Sequence, residues 1–364
     1  MEKEKKKLSK KAKTWIIVGS IVGGIALFYV APGIIAGNIV FEKLFGIRQS
    51  VTADLDKPPL HAIASWEDFP ELATREYVTF PANGNNLTAR LYNATSDKGL
   101  ILACHGMGGQ ADDNSAAYQA HFVSQGYAVF ALDMTASGIS EGQRWEKGLR
   151  QGTYDILAAE NYIKSRPDLA NLPLALLGHS VGAYGAISSI AVNQDPFAVI
   201  AFSAFEQPNS FMIDMAVKSV GAWAYATVPT FDLVDLSRYG TDSFITTTDV
   251  MEKHPDTPFF LMHDRQDELV DYKKCSAALP ASKANLENVN ITIREGAGHS
   301  NPWLTYEGAE KVRLAKGLQK RLKKGEITQE EYDALAVSYK EATKEVDPEL
   351  FTAIDSFLET HRPI

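Results

Sequence analysis

Beyond Arg75 the chain alternates short apolar runs with longer stretches of helical spacing. "REYVTF" (75–80) and "LTARLYN" (87–93) alternate apolar and polar residues around the turn-rich "PANGNN", which predicts a hairpin. "GLILACHG" (99–106), "YAVFALD" (127–133), "LPLALLG" (172–178), "FAVIAFSAF" (197–205) and "PFFLMHD" (258–264) are continuously apolar, the pattern of strands covered on both faces. "VNITIREGAGHSNPW" (289–303) opens as a further strand. Between them, residues 113–126, 147–167 and 180–193 read as helices, the first with a start signal and a glycine stop. Strands alternating with helices predict an α/β fold with a mostly parallel sheet, right-handed crossovers and helices on its faces.

Two stretches break the alternation. Residues 206–256 are too long for a plain crossover, and "FMIDMAVKSVGAWAYATV" has a broad apolar face at helical spacing. They predict a helical insertion over one end of the sheet, a candidate lid. Its Phe211, Trp223, Tyr225 and Phe231 suit either core or the wall of an acyl pocket. Residues 302–346 read as a helical hairpin bent at Gly325, with Thr328 and Glu331 forming a capping box and the charges on a solvated face. "DPELFTAIDSFLETH" closes the chain as an amphipathic helix, while residues 42–72, with Pro58, Pro59 and Pro70, read as a linker or arm.

The N-terminal pattern differs. Thr14 to Phe41 is a run of 28 residues without a charge, preceded by seven lysines and two glutamates in residues 1–14. A span of ~20 apolar helical residues crosses a bilayer core. The expected organisation is therefore a cytoplasmic basic tail (1–14), a transmembrane signal anchor (15–41), the linker, and a body (73–364) outside the cytoplasm, since Lys43 and Arg48 are the nearby cations that follow. A signal peptide cut near Ala36-Gly37 would instead secrete the body, and a buried core helix is the third reading.

Composition narrows the chemistry. The 364 residues carry a net charge of −9 although the tail is basic, so the body is strongly acidic and nucleic acid is disfavoured as a partner. Two cysteines make no disulfide framework, and without C-x-x-C or H-E-x-x-H spacing no protein-built metal site is expected. Open parallel sheets place ligands outside the carboxyl ends of their strands. Four such ends are unusual here. "LALLG" runs into Gly178-His179-Ser180-Val181-Gly182 and turns into a helix, which is the context that lifts a serine hydroxyl at a helix N-terminus. "LILAC" runs into "HGMGGQ" (105–110), where glycines let backbone N–H groups face a developing oxyanion. "FFLMHD" runs into "HDRQDELV", offering Asp264 and Asp267, and the last strand ends at Gly298-His299. The chain order Ser180, an aspartate, His299 suits a serine activated by a histidine base that a carboxylate orients.

These motifs resemble the α/β-hydrolase superfamily, in its membrane-anchored bacterial serine-hydrolase form, similar to monoacylglycerol-lipase-like and serine-aminopeptidase-like members. The resemblance covers about residues 73–300 and the last helix. It implies Ser180 as nucleophile, His299 as base, Asp267 as acid (from "HDRQDELV" against H-G-x-x-D-x-x-V), and the backbone N–H groups of Met107 and Val181 as oxyanion hole. Asp264, standing where the family has glycine, remains an alternative acid. "DMTASGISEG" (133–142) resembles D-x-R-G-H-G-x-S-E-G but departs at Thr135, Ala136 and Ser137. His105, His179 and His263 read as structural. The implied function is cleavage of small-molecule or lipid acyl esters with no cofactor, with a peptidase, an acyltransferase or a non-catalytic binding protein as alternatives. Oligomeric state stays open.

Overall fold

The computed structural model describes residues 9–25, 34–35, 62–111, 115–143 and 146–363. The chain divides into two compact units, Met1–Ile47 with Ala216–Ser243, and Arg48–Met215 with Phe244–Ile364, and each is described by itself.

The larger unit is built on eight strands: β1 (Arg75–Ala82), β2 (Asn85–Tyr92), β3 (Leu100–Cys104), β4 (Ala128–Asp133), β5 (Leu174–His179), β6 (Ala198–Phe202), β7 (Phe259–Asp264) and β8 (Val289–Arg294). Their order across the sheet is β1-β2-β4-β3-β5-β6-β7-β8. β1–β2 and β2–β4 pair antiparallel, and every later pair is parallel. The β1–β2 hairpin closes through Asn83 and Gly84, at φ 51° and 84°, the two positive values that a tight hairpin turn requires.

The helices are α1 (Lys10–Ile25), α2 (Ala116–Ser124), α3 (Gln151–Ser165), α4 (Val181–Ser189), α5 (Pro208–Val220), α6 (Val228–Tyr239), α7 (Thr247–Lys253), α8 (Ala278–Ala284), α9 (Tyr306–Lys323), α10 (Gln329–Ala342) and α11 (Pro348–His361). Successive strand residues face opposite ways, so the continuous apolar runs feed two cores. Leu100, Leu102, Phe130, Leu176 and Val199 pack with Ile156 of α3 and Ile187 of α4. Ile101, Val129, Leu177, Ile200 and Met262 pack with Phe122 of α2, Val312 of α9 and Phe351 and Ile354 of α11. Ala62, Ile63 and Leu72 of the arm join this second core, as do Tyr332, Ala336 and Tyr339 of α10. The hairpin of α9 and α10 therefore buries one face and solvates the other. Its bend lies at Gly325 (φ 69°), and the Thr328–Glu331 capping box forms in both directions.

The 206–256 insertion holds α5, α6 and α7 with two short 3-10 turns. Its two ends are tied together: Thr247 N–H donates to the Glu206 carbonyl (2.8 Å), and the Thr247 hydroxyl to the Glu206 carboxylate (2.7 Å). In the smaller unit Trp223 and Tyr225 are exposed rather than in a core.

The expected membrane span at 15–41 is not met among the described residues, where no helix is long and apolar enough to cross a membrane. α1 is described over Lys10–Ile25, 16 residues. Apart from Ile34 and Ile35, the rest of that span lies outside the described residues, as do residues 1–8 and 42–61.

One buried ion pair secures the loop after β4. Asp133 accepts from Arg90 Nη1 (2.7 Å), from the backbone N–H groups of Ala111 (2.6 Å) and Ile139 (3.1 Å), and from the Thr88 hydroxyl (3.3 Å). Neither side chain of the pair is more than 4% exposed. Removing the cation leaves a buried carboxylate without its counter-charge. Arg90→Ala is expected to lose about 3–5 kcal/mol of stability, read from urea denaturation.

Candidate active site

β5 ends at His179, and the chain reverses through Ser180 into α4. Ser180 sits at φ 55°, ψ −113°, a strained conformation for a residue with a Cβ. The turn is possible because its neighbours are glycines in direct backbone contact. A methyl at position 178 would overlap the Gly182 carbonyl, and one at 182 would overlap the Cys104 carbonyl of β3. Ser180 N–H donates to the Phe202 carbonyl at the end of β6 (2.8 Å).

The residues expected from the strand ends converge. Ser180 Oγ lies 3.1 Å from His299 Nε2, and His299 Nδ1 lies 2.8 Å from Asp267 Oδ2. All three are buried. The second oxygen of Asp267 accepts from the backbone N–H groups of Leu269 (2.9 Å) and Val270 (2.7 Å). Burial works to raise the Asp267 pKa, but the bond from His299, the nearby His299 and His263 charges and the Val270 N–H together hold it below the usual carboxylate value. Asp264 is not brought to His299. Its buried carboxylate accepts from the backbone of Gln266 (2.7 Å), Gly296 (3.3 Å) and Ala297 (2.7 Å), which ties the loop bearing His299 to the loop bearing Asp267. Glu268 adds a bond from His299 N–H (3.0 Å).

Met107 and Ser180 line one cavity of about 360 Å³. Met107 belongs to a turn in which Gly109 N–H donates to the Gly106 carbonyl (3.1 Å). Val181 is the first residue of α4, where backbone N–H groups have no intrahelical acceptor. Apolar walls come from Tyr118, Phe211, Met215, Leu269 and Trp303, and Lys316 stands among the polar lining. Phe211 is both wall and core, since it stacks on Phe205 (centroids 5.2 Å), which stacks on Tyr184 (4.8 Å).

The three remaining histidines of these strand ends each bind backbone. His105 Nε2 accepts from Met134 N–H (3.1 Å), so its Nδ1–H donates to the Gly106 carbonyl (2.7 Å). His263 Nε2–H donates to the Val270 carbonyl (2.9 Å). His179 Nε2–H donates to the carbonyl of His299 (3.0 Å), its ring lying 4.9 Å from the His299 ring and edge-on to Trp303 at 5.1 Å. The sequence showed His179 as a turn residue, and its hold on His299 depends on a contact across 120 positions. Trp303, Lys316 and Glu268 were likewise not singled out from the sequence. Among the described residues no group of three or more His, Cys, Asp or Glu side chains could hold a metal ion.

Burial, reinforced by the His299 charge, pushes the His179 pKa down from 6.5 to about 3. The unfolded chain binds a proton at this residue near pH 6.5 and the folded protein does not, so His179 lowers stability as pH falls through that value. His179→Gln removes this contribution. Its stability deficit relative to wild type should shrink by about 2 kcal/mol between pH ~6.5 and ~5, measured by urea denaturation at each pH.

Residues 95–254 match the family described as serine aminopeptidase, S33. Quorum-quenching protein AidA of Acinetobacter baumannii (strain MDR-ZJ06) is 29% identical over 126 residues, which is 34% of this chain and 41% of that one. The multifunctional-autoprocessing repeats-in-toxin protein of Vibrio vulnificus is 31% identical over 90 residues, 25% of this chain and 2% of that one. The chain thus spans less than half the length of either curated relative. Among solved structures, the esterase Pf2001 of Pyrococcus furiosus superposes with a TM-score of 0.50 at 19% identity, covering 68% of this chain and 91% of that one.

Proposed function

We propose that this chain, a member of the α/β-hydrolase superfamily, is a serine hydrolase that cleaves carboxylic esters through an acyl-enzyme on Ser180. One observation carries the reading: the hydrogen-bonded series Ser180–His299–Asp267 at the wall of a mostly apolar cavity. Ser180 Oγ attacks the ester carbonyl while His299 Nε2 takes its proton. Asp267 holds His299 in the tautomer with the proton on Nδ1 and stabilises the imidazolium that forms. The N–H groups of Met107 and Val181 hold the oxyanion of the tetrahedral intermediate. As that intermediate collapses, the C–O bond to the alcohol breaks and His299 returns the proton to the departing oxygen. Water then attacks the acyl-serine by the same route, and the acid leaves with Ser180 restored.

The matched family is that of a serine aminopeptidase, whereas Pf2001 is an esterase. The cavity favours the ester. Its walls are mostly apolar, and Phe211, Met215, Leu269 and Trp303 among them suit an acyl chain. Phe211 and Met215, at the start of the 206–256 insertion, stand in the wall, which supports a role for this part of the insertion in selecting the acyl group.

A fluorophosphonate should label the wild type at Ser180 and leave Ser180→Ala unlabelled. The same substitution should lower kcat on short-chain esters by about 10⁴-fold or more. Labelling that persists in Ser180→Ala would place the nucleophile elsewhere.

Anchoring by the N-terminal segment is the second part of the proposal. It is supported by the uncharged run from Thr14 to Phe41 behind its lysines, and by the exposure of Trp15, Ile16, Ile17, Ile21 and Val22 on α1. The full chain should stay in the membrane fraction after an alkaline carbonate wash, and external protease should digest the body while a tag at Met1 is spared. Release by carbonate would rule out a spanning anchor.

A further inference from the structure

α9 is a basic helix in an acidic protein. It carries Lys311, Arg313, Lys316, Lys320, Arg321 and Lys323 against Glu307 and Glu310. Arg313, Lys316, Lys320 and Lys323 are spaced by three, four and three residues, which places them on one face, and all four are exposed. The stripe begins at the site. Arg313 Nη1 donates to the carbonyls of Gly296 (3.1 Å) and Ala297 (3.2 Å), on the loop that carries His299. Lys316 Nζ donates to the hydroxyl of Ser300 (2.8 Å), the residue after His299, and Lys316 lines the same cavity as Ser180. Glu268 also borders this loop, with its carboxylate accepting the His299 N–H. No carboxylate is among the described lining residues.

We infer that the ester cleaved at Ser180 carries an anionic group, a carboxylate or a phosphate, which Lys316 receives at the mouth of the cavity while Lys320 and Lys323 extend the attractive field along α9. This rests on the serine-hydrolase reading and names its substrate class. The Lys316–Ser300 bond also gives the ammonium a fixed place beside the base before substrate arrives. A plain helix-to-loop staple would look similar in the resting protein. The two roles differ in what removing the charge does: loss of a staple disturbs every ester alike, whereas loss of a receptor changes the preference between charged and neutral esters.

The test uses the full chain in neutral detergent with two pairs of esters. Ethyl hexanoate against monoethyl adipate puts the anion on the acyl part, and 2-methoxyethyl acetate against 2-acetoxyethyl phosphate puts it on the alcohol part. Wild type should favour the anionic member of one pair by about fivefold or more in kcat/KM, chiefly through KM. Lys316→Gln should erase that ratio, Lys316→Glu should invert it, and Lys320→Gln should reduce it in part. Added salt should erode it in the wild type. A neutral preference in both pairs, or a ratio unchanged in Lys316→Gln, overturns the inference. Fluorophosphonate labelling of Ser180 in each variant separates the failures. A labelled enzyme without charge preference overturns the substrate class alone, and an unlabelled wild type overturns the hydrolase reading and this inference with it.

Discussion

The arrangement of the site depends on the backbone contact between Gly178 and Gly182. Ser180 is held at positive φ, a conformation that costs roughly 1–3 kcal/mol for such a residue. That cost is met by packing rather than by the turn itself. α4 lies so near β5 and β3 that its small residues touch main chain: Gly182 against the Cys104 carbonyl, and Gly185 against Gly152 of α3. The sequence "SVGAYGAISS" is therefore shaped by distance. Larger residues would push α4 off the sheet and let the strained turn relax. The hydroxyl of Ser180 is thus located by the sheet.

His299 and Asp267, in contrast, stand on loops, and loops need other means to hold position. Carboxylates supply them. Asp264 binds the main chain of both loops, Asp267 binds its own loop with one oxygen and His299 with the other, and Glu268 binds His299 N–H. α9 closes the far side through Arg313. The 302–346 hairpin, which interrupts the strand-helix alternation, accordingly has a place in the site. Its buried face joins the core, and its first helix braces the loop that carries the imidazole.

The legible parts of the sequence were those governed by local rules. Continuous apolar runs mark strands buried on both faces, the Asn83-Gly84 turn marks the hairpin, and Thr328 with Glu331 marks a helix start. Ser180, His299 and a pair of aspartates could be singled out because an open parallel sheet gathers its strand ends, and the family resemblance preferred Asp267 of that pair. What stayed hidden depends on contacts between distant positions. Asp264 was visible at its strand end as an alternative acid, and nothing local shows that its carboxylate instead ties two loops together. Trp223 and Tyr225 read as core or pocket by their aromaticity, yet they are exposed. Of the apolar run behind the lysines, the described residues include a helix over Lys10–Ile25.

The histidines show how one imidazole is set apart from its neighbours. His105 and His263 are buried, His179 is half-buried, and each is bound to main chain; desolvation holds His179 and His263 toward the neutral form. Among these four histidines only His299 lies between a hydroxyl and a carboxylate. In the proposed mechanism, a second cation beside it would oppose the imidazolium that forms as Ser180 gives up its proton. A neutral His179 offers instead a dipole whose N–H is already committed to the His299 carbonyl. In the proposed mechanism the ring would then position its neighbour without competing for the proton, and the charge developing during attack would concentrate on His299, where Asp267 meets it.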